Sequence, residues 1–126
     1  MEHRNVLVDT SVFIEYFRKR DKTKTELYHL RKAGYTLVTS SVCFFEYMAG
    51  SNHPEFDAKL FEYIDVIALD KDQAYLASRI FKELKQKNML IEFRDILIAA
   101  SAIYYDIPLA TQNKKHFDRI EGLRCI

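Results

Sequence analysis

Tryptophan is absent from the 126 residues, and glycine, proline and cysteine are scarce, at three, two and two. So little glycine and proline excludes long flexible linkers, and a chain 48% apolar and 29% charged is not disordered. Cys43 and Cys125 stand far apart in apolar surroundings, with no Cys-x-x-Cys pair and no nearby set of histidines. That excludes a sequence-evident zinc site and reads as two reduced thiols. No apolar run approaches the ~18 residues a membrane span requires. Met1 to Asn5 lead directly into a strand-like run, so the expected location is the cytoplasm. Nineteen Lys and Arg balance 18 Asp and Glu, a net charge of +1. An overall basic field is therefore absent, and any polyanionic partner must be met locally. The length is that of one ordinary domain, and residues 1–126 are read as one.

What the chain does have is strands alternating with helices. Val6 to Asp9 is strand-like, and Thr10-Ser11 can cap a helix carrying Val12, Phe13, Tyr16 and Phe17. A second helix with Leu27, Leu30 and Arg31 ends at Gly34, and Tyr35 to Thr39 returns as a strand. Ser40 and Ser41 cap a helix through Phe44, Phe45, Met48 and Ala49, closed by Gly50-Ser51-Asn52, and Pro54 opens another with Phe56, Leu60, Phe61 and Ile64. Asp65 to Leu69 reads as a third strand. Asp70 caps a long amphipathic helix that frays near Asn88. From Glu92 to Tyr105 apolar side chains occupy nearly every face, the mark of a buried helix. Ile107 to Ala110 is a brief strand, Gln112-Asn113 opens a short basic helix, and Leu123 to Ile126 can form a terminal strand. This order predicts an α/β domain, a parallel sheet with helices on both faces.

Sites in such sheets lie at the carboxyl edge of the strands. Asp9 ends the first strand, and Glu46 lies in the first two turns of the helix leaving the second. The buried helix feeding the fourth strand runs back against it, so Asp95 arrives at the same edge, as does Asn113 beyond that strand. Three gathered carboxylates repel one another, and either their pKa values rise or a multivalent cation joins them. Oxygen donors without thiolate or imidazole favour Mg²⁺ or Mn²⁺, and these ions point to phosphate chemistry.

Leu7-Val8-Asp9-Thr10-Ser11, Glu46 ahead of Gly50, Asp95-Ile96-Leu97-Ile98-Ala99-Ala100, and Thr111-Gln112-Asn113 with Phe117 and Ile120 together closely resemble the PIN-domain family. Within it, the chain most resembles the VapC toxins of VapBC toxin–antitoxin modules. The resemblance runs from Val6 to the C-terminus, with the motifs in family order; each alone is weak, and together they are specific. It implies a three-layer fold with a short parallel sheet of order 3-2-1-4-5, and an endoribonuclease dependent on one or two Mg²⁺ or Mn²⁺ ions. Carried over by position, Asp9, Glu46 and Asp95 become the metal-binding catalytic acids, with Thr10, Ser11 and Thr111 as supporting hydroxyls. The family's fourth acidic position falls on Asn113, which puts a second ion in question; Asp118 is a stand-in more than a helical turn away. Also implied are products with 5′-phosphate and 3′-hydroxyl ends, a cognate VapB-type antitoxin and a homodimer formed through helices.

Each residue also has a plainer reading. Asp9 and Asn113 can be helix caps, Asp95 a first-turn acid favoured by the helix dipole, and Glu46 a solvated helical glutamate. His3, His29, His53 and His116 are scattered, and His116 lies near the expected mouth of the site. Tyr16, Phe17 and Tyr47 are core aromatics or a surface for bases or a partner helix. Arg18, Lys19, Arg20, Lys22 and Lys24 follow the first helix, and Lys114, Lys115, His116 and Arg119 follow the fourth strand. Both runs can flank the acids and hold RNA phosphates, or be ordinary solvated faces. The competing functional class is a PIN-like domain that binds RNA or protein without cutting. A phosphatase or phospho-receiver domain lacks its Asp-x-Asp signature, since Ser11 stands two residues after Asp9.

Overall fold

A computed structural model describes residues 4–126. The central strand β1, Arg4–Val8, pairs in parallel with β2, Tyr35–Ser40, on one side and with β4, Leu109–Ala110, on the other. Strand β3, Asp65–Ile67, extends the sheet beyond β2, giving the order β3-β2-β1-β4. Seven α-helices fill the described connections: α1 Thr10–Arg18, α2 Glu26–Lys32, α3 Ser41–Ala49, α4 Pro54–Leu60, α5 Lys71–Gln86, α6 Phe93–Tyr104 and α7 Lys114–Phe117.

Val6, Leu7 and Val8 are all fully buried, the pattern of a parallel strand covered on both faces. Strand alternation sends Leu7 to one side, where it packs with Ile98, Leu109, Phe117 and the α5 residues Ala77, Ile80 and Leu84. Val6 and Val8 face the other side, with Val12, Phe13, Leu30, Leu37 and Phe61. Helices on both faces make the three layers expected. Helix α6 is apolar around most of its circumference, and Ile98, Ala99, Ala100 and Ala102 are completely inaccessible. It is joined to α5 by a buried polar pair: Ser101 donates to Gln73 Oε1 at 2.6 Å, and the Gln73 amide donates to the Ala68 carbonyl at 2.8 Å.

Several boundaries move for identifiable reasons. The helix after β1 is capped by Asp9 rather than by Thr10-Ser11, its carboxylate accepting the Thr10 N–H at 2.9 Å. Strand β3 stops at Ile67, two residues before the expected end, because the Ala68 carbonyl goes to Gln73 and the Leu69 N–H goes to Ser41 Oγ at 3.1 Å. Strand β4 is two residues long, not four: Pro108 has no N–H for a ladder, and its carbonyl alone accepts from Leu7 N–H at 2.9 Å. The expected fifth strand, Leu123 to Ile126, is reduced to one parallel bridge between Leu109 and Cys125. It lies where the order 3-2-1-4-5 places it, with Leu109 N–H on Arg124 O and Ile126 N–H on Leu109 O, both at 2.8 Å. A two-residue β4 offers no partner for anything longer.

Candidate active site

Asp9 stands at the carboxyl end of β1, with its side chain completely buried. Five groups converge on it. The Thr10 N–H reaches Oδ1 at 2.9 Å, and the Ser11 and Thr111 hydroxyls reach Oδ2 at 2.9 and 2.8 Å. The Cys43 thiol lies 3.8 Å from Oδ1. The fifth is Arg94, whose Nη2 donates to Oδ1 at 2.6 Å. Ser11 and Thr111 are held in turn by backbone: Gln112 N–H donates to Ser11 Oγ and Asn113 N–H to Thr111 Oγ1, both at 3.0 Å. The loop after β4 is thus fastened to Asp9 through two hydroxyls.

Glu46 reaches the same spot because Ser40 caps α3, accepting the Cys43 N–H at 3.1 Å, and starts that helix at the end of β2. Asp95 reaches it from the first turn of α6 and is 2% exposed. Between the three acids lies the Arg94 guanidinium. Its Nη1 donates to Asp95 Oδ1 at 2.6 Å, its Nη2 to Glu46 Oε1 at 2.7 Å, and its Nε to Glu46 Oε2. Three carboxylates from three elements therefore share one positive charge. Burial opposes the charge on Arg94, but the Glu46 bonds and the nearby Asp9 outweigh it and raise its pKa above the ordinary arginine value. Burial likewise raises the pKa of Asp95, against the pull of Arg94 and, more weakly, of His116, whose Nδ1 lies 3.4 Å from Asp95 Oδ2.

The geometry sorts the other expected residues. Thr10, Ser11 and Thr111 all belong to the acid cluster, although Thr10 contributes its N–H to Asp9 and turns its hydroxyl to the Cys43 carbonyl at 3.4 Å. The Asn113 side chain is exposed at the rim, neither bonds to the three acids nor caps α7, and contributes through its backbone. Asp118 is exposed at the far end of α7. Lys115, His116 and Arg119 line a pocket of about 210 Å³ with Glu92 and Asp95. Arg18 lines a cleft of about 470 Å³ with Ile14, Phe17, Glu46 and Tyr47. Lys19 turns back to Glu15 at 3.3 Å, and Lys22 to the Tyr16 ring and carbonyl, so the first basic run is only partly turned to the site. Lys114 lies beside Asn113, and Arg20 is exposed. His29 is exposed on α2, and His53 lines the same cleft as Glu46; His3 lies outside the described residues.

Arg94 is the residue that sequence reasoning passed over. Its signal was a cation beside Asp95 in the first turn of a helix, where the macrodipole disfavours positive charge, ahead of a long apolar run.

A match to the PIN domain family spans residues 6–123. The chain belongs to the PIN domain family. Among its relatives, Ribonuclease VapC1 of Methanocaldococcus jannaschii is 35% identical over 123 residues, covering 95% of this chain and 84% of that one. Ribonuclease VapC19 of Mycobacterium tuberculosis is 28% identical over 120 residues, 94% of this PIN chain and 96% of its own. Among solved structures, VapBC2 from Rickettsia felis bound to a DNA fragment from their promoter superposes with a TM-score of 0.81. Identity there is 25%, and 97% of each chain is covered.

The donor set suits a hard divalent cation: three carboxylates and no imidazole between them, already arranged around a positive charge. Their present spacing is that of a guanidinium. Among the described residues, no three His, Cys, Asp or Glu side chains are placed to close on a metal ion.

Proposed function

We propose that this PIN domain is a divalent-metal-dependent endoribonuclease, the toxin of a toxin–antitoxin pair. The observation that carries this reading is the convergence of Asp9, Glu46 and Asp95 on one cation position at the carboxyl edge of the sheet. The ribonuclease names of its relatives support it. Asp9, Glu46 and Asp95 would hold Mg²⁺ or Mn²⁺, which when bound supplies Lewis-acid polarisation and a water acidic enough to attack a phosphodiester. One ion suffices for these acids; a second would draw on Asn113 at the rim.

The protein's own groups have separable tasks. Ser11 and Thr111 orient the Asp9 carboxylate, and the α6 backbone holds Asp95 beside it. Lys115 and Arg119 on one flank and Arg18 on the other offer charge to RNA phosphates as they approach. The cleft beside Glu46, walled by Ile14, Phe17 and Tyr47, is where this reading seats an antitoxin segment. The apolar groove between α5 and α6, with Phe93 68% exposed at its lip, is where it seats a second copy of the chain. The pair would act in the cytoplasm; no helix among the described residues is long and apolar enough to cross a membrane.

The test is cleavage of structured RNA by the purified protein with Mn²⁺, with and without chelator, beside Asp9→Asn checked for native circular dichroism. Cutting by the wild type alone, abolished by chelator, is expected. RNA that is bound and never cut, across metals and substrates, would instead favour the non-cleaving binding module.

A further inference from the structure

An ionised carboxylate offers about four lone-pair directions. At Asp9 all four are taken by strong donors: the Thr10 N–H, the Ser11 and Thr111 hydroxyls, and Arg94 Nη2. Being completely buried, Asp9 cannot turn a further lone pair outward. The first three donors belong to the start of α1 and to the end of β4, elements built into the sheet edge. The fourth is the tip of a long side chain that is 23% exposed. Both Glu46 oxygens and Oδ1 of Asp95 also face that same guanidinium. Charge alone would let a divalent ion join Arg94, three positive against three negative. The lone pairs do not allow it: an ion can reach Asp9 only where a donor leaves, and Arg94 is the donor able to leave.

We propose that Arg94 is a built-in competitor for the divalent ion, which enters the acid cluster by displacing the guanidinium from Asp9, Glu46 and Asp95. Arg94 then does two things. It keeps three repelling carboxylates together while the ion is absent, and it sets the ion concentration at which the site loads. This inference rests on the metal-dependent reading above and adds to it a threshold written into the chain.

Mn²⁺ titration by calorimetry, with no RNA present, tests it on the wild type, Arg94→Gln and Arg94→Lys. Arg94→Gln removes the competing charge and is expected to bind Mn²⁺ at least tenfold more tightly than the wild type. Arg94→Lys keeps the charge but loses the planar fork that holds several oxygens at once, and is expected to fall between them. Should Arg94→Gln not fold without metal, its recovery of native circular dichroism on adding Mn²⁺ supports the proposal, and Arg94→Lys supplies the affinity comparison. Variants that bind Mn²⁺ no more tightly than the wild type overturn the competition and leave the metal reading standing. Absence of Mn²⁺ binding at millimolar concentration in all three overturns both.

Discussion

Arg94 Nη2 lies 2.6 Å from Asp9 Oδ1, a bond that joins the first turn of α6 to the end of β1 across 85 positions of sequence. It is the contact through which the acid cluster is closed. Asp9 is anchored from below by hydroxyls and from above by this guanidinium, so the effect of changing its surroundings depends on which side is cut.

Thr111→Val cuts the lower side with little change in shape. It removes a hydroxyl that donates to Asp9 Oδ2 at 2.8 Å and accepts the Asn113 N–H at 3.0 Å. A hydrogen bond to a charged group is worth about 1.5–3 kcal/mol, so a loss of that order is expected in urea unfolding, with Thr111→Ser restoring most of it. Equal stability of Thr111→Val and wild type would mean that the hydroxyl does not hold the carboxylate.

Asp95 offers a pH test. Burial raises its pKa above the unfolded value despite Arg94, so its protonated form favours the fold. Such a group contributes stability below its unfolded pKa and loses it as pH rises through the folded one. Asp95→Asn, which keeps the shape without the charge, is expected to melt no lower than wild type at pH 7. That advantage should shrink as the buffer is taken down toward about pH 4, near the unfolded carboxylate value. A variant melting below wild type at pH 7 would show that the charged form is favoured instead.

RNA affinity should depend unequally on the basic residues. Lys115 and Arg119 line the pocket beside Asp95, whereas Lys19 is turned to Glu15 and the Lys24 carbonyl. In the cleavage-silent Asp9→Asn background, Lys115→Ala and Arg119→Ala should each lower the salt slope of binding to single-stranded RNA by about 0.7. Lys19→Ala should leave the slope nearly unchanged. Equal effects from all three would indicate a diffuse electrostatic surface rather than a flank beside the acids.

The parts legible in the sequence are those dictated by periodicity and capping. The run Val6-Leu7-Val8 and the all-round apolar segment after Glu92 could only be a buried strand and a buried helix, and both are. Ser40, Asp70 and Pro54 mark the starts of α3, α5 and α4 where expected. Since Asp9 follows β1, Glu46 lies on the helix leaving β2 and Asp95 lies in the first turn of α6, their convergence followed from topology. The short β4 and vestigial fifth strand did not, because they turn on the missing N–H of Pro108, which leaves two residues of β4 to pair with. Nor did Arg94. The cost of three gathered carboxylates called for a cation, and in the sequence only the first-turn position of Arg94 sets it apart from a surface charge until the fold turns it inward.

Asp9, Glu46 and Asp95 are the proposed seat of a divalent ion. Anomalous diffraction at the manganese edge, from crystals of the wild-type protein grown with Mn²⁺, tests it most directly. A peak bonded to carboxylate oxygens of Asp9 and Asp95 is expected, with the Arg94 guanidinium withdrawn from Asp9. Manganese bound only elsewhere, with the guanidinium still joined to all three acids, would contradict it.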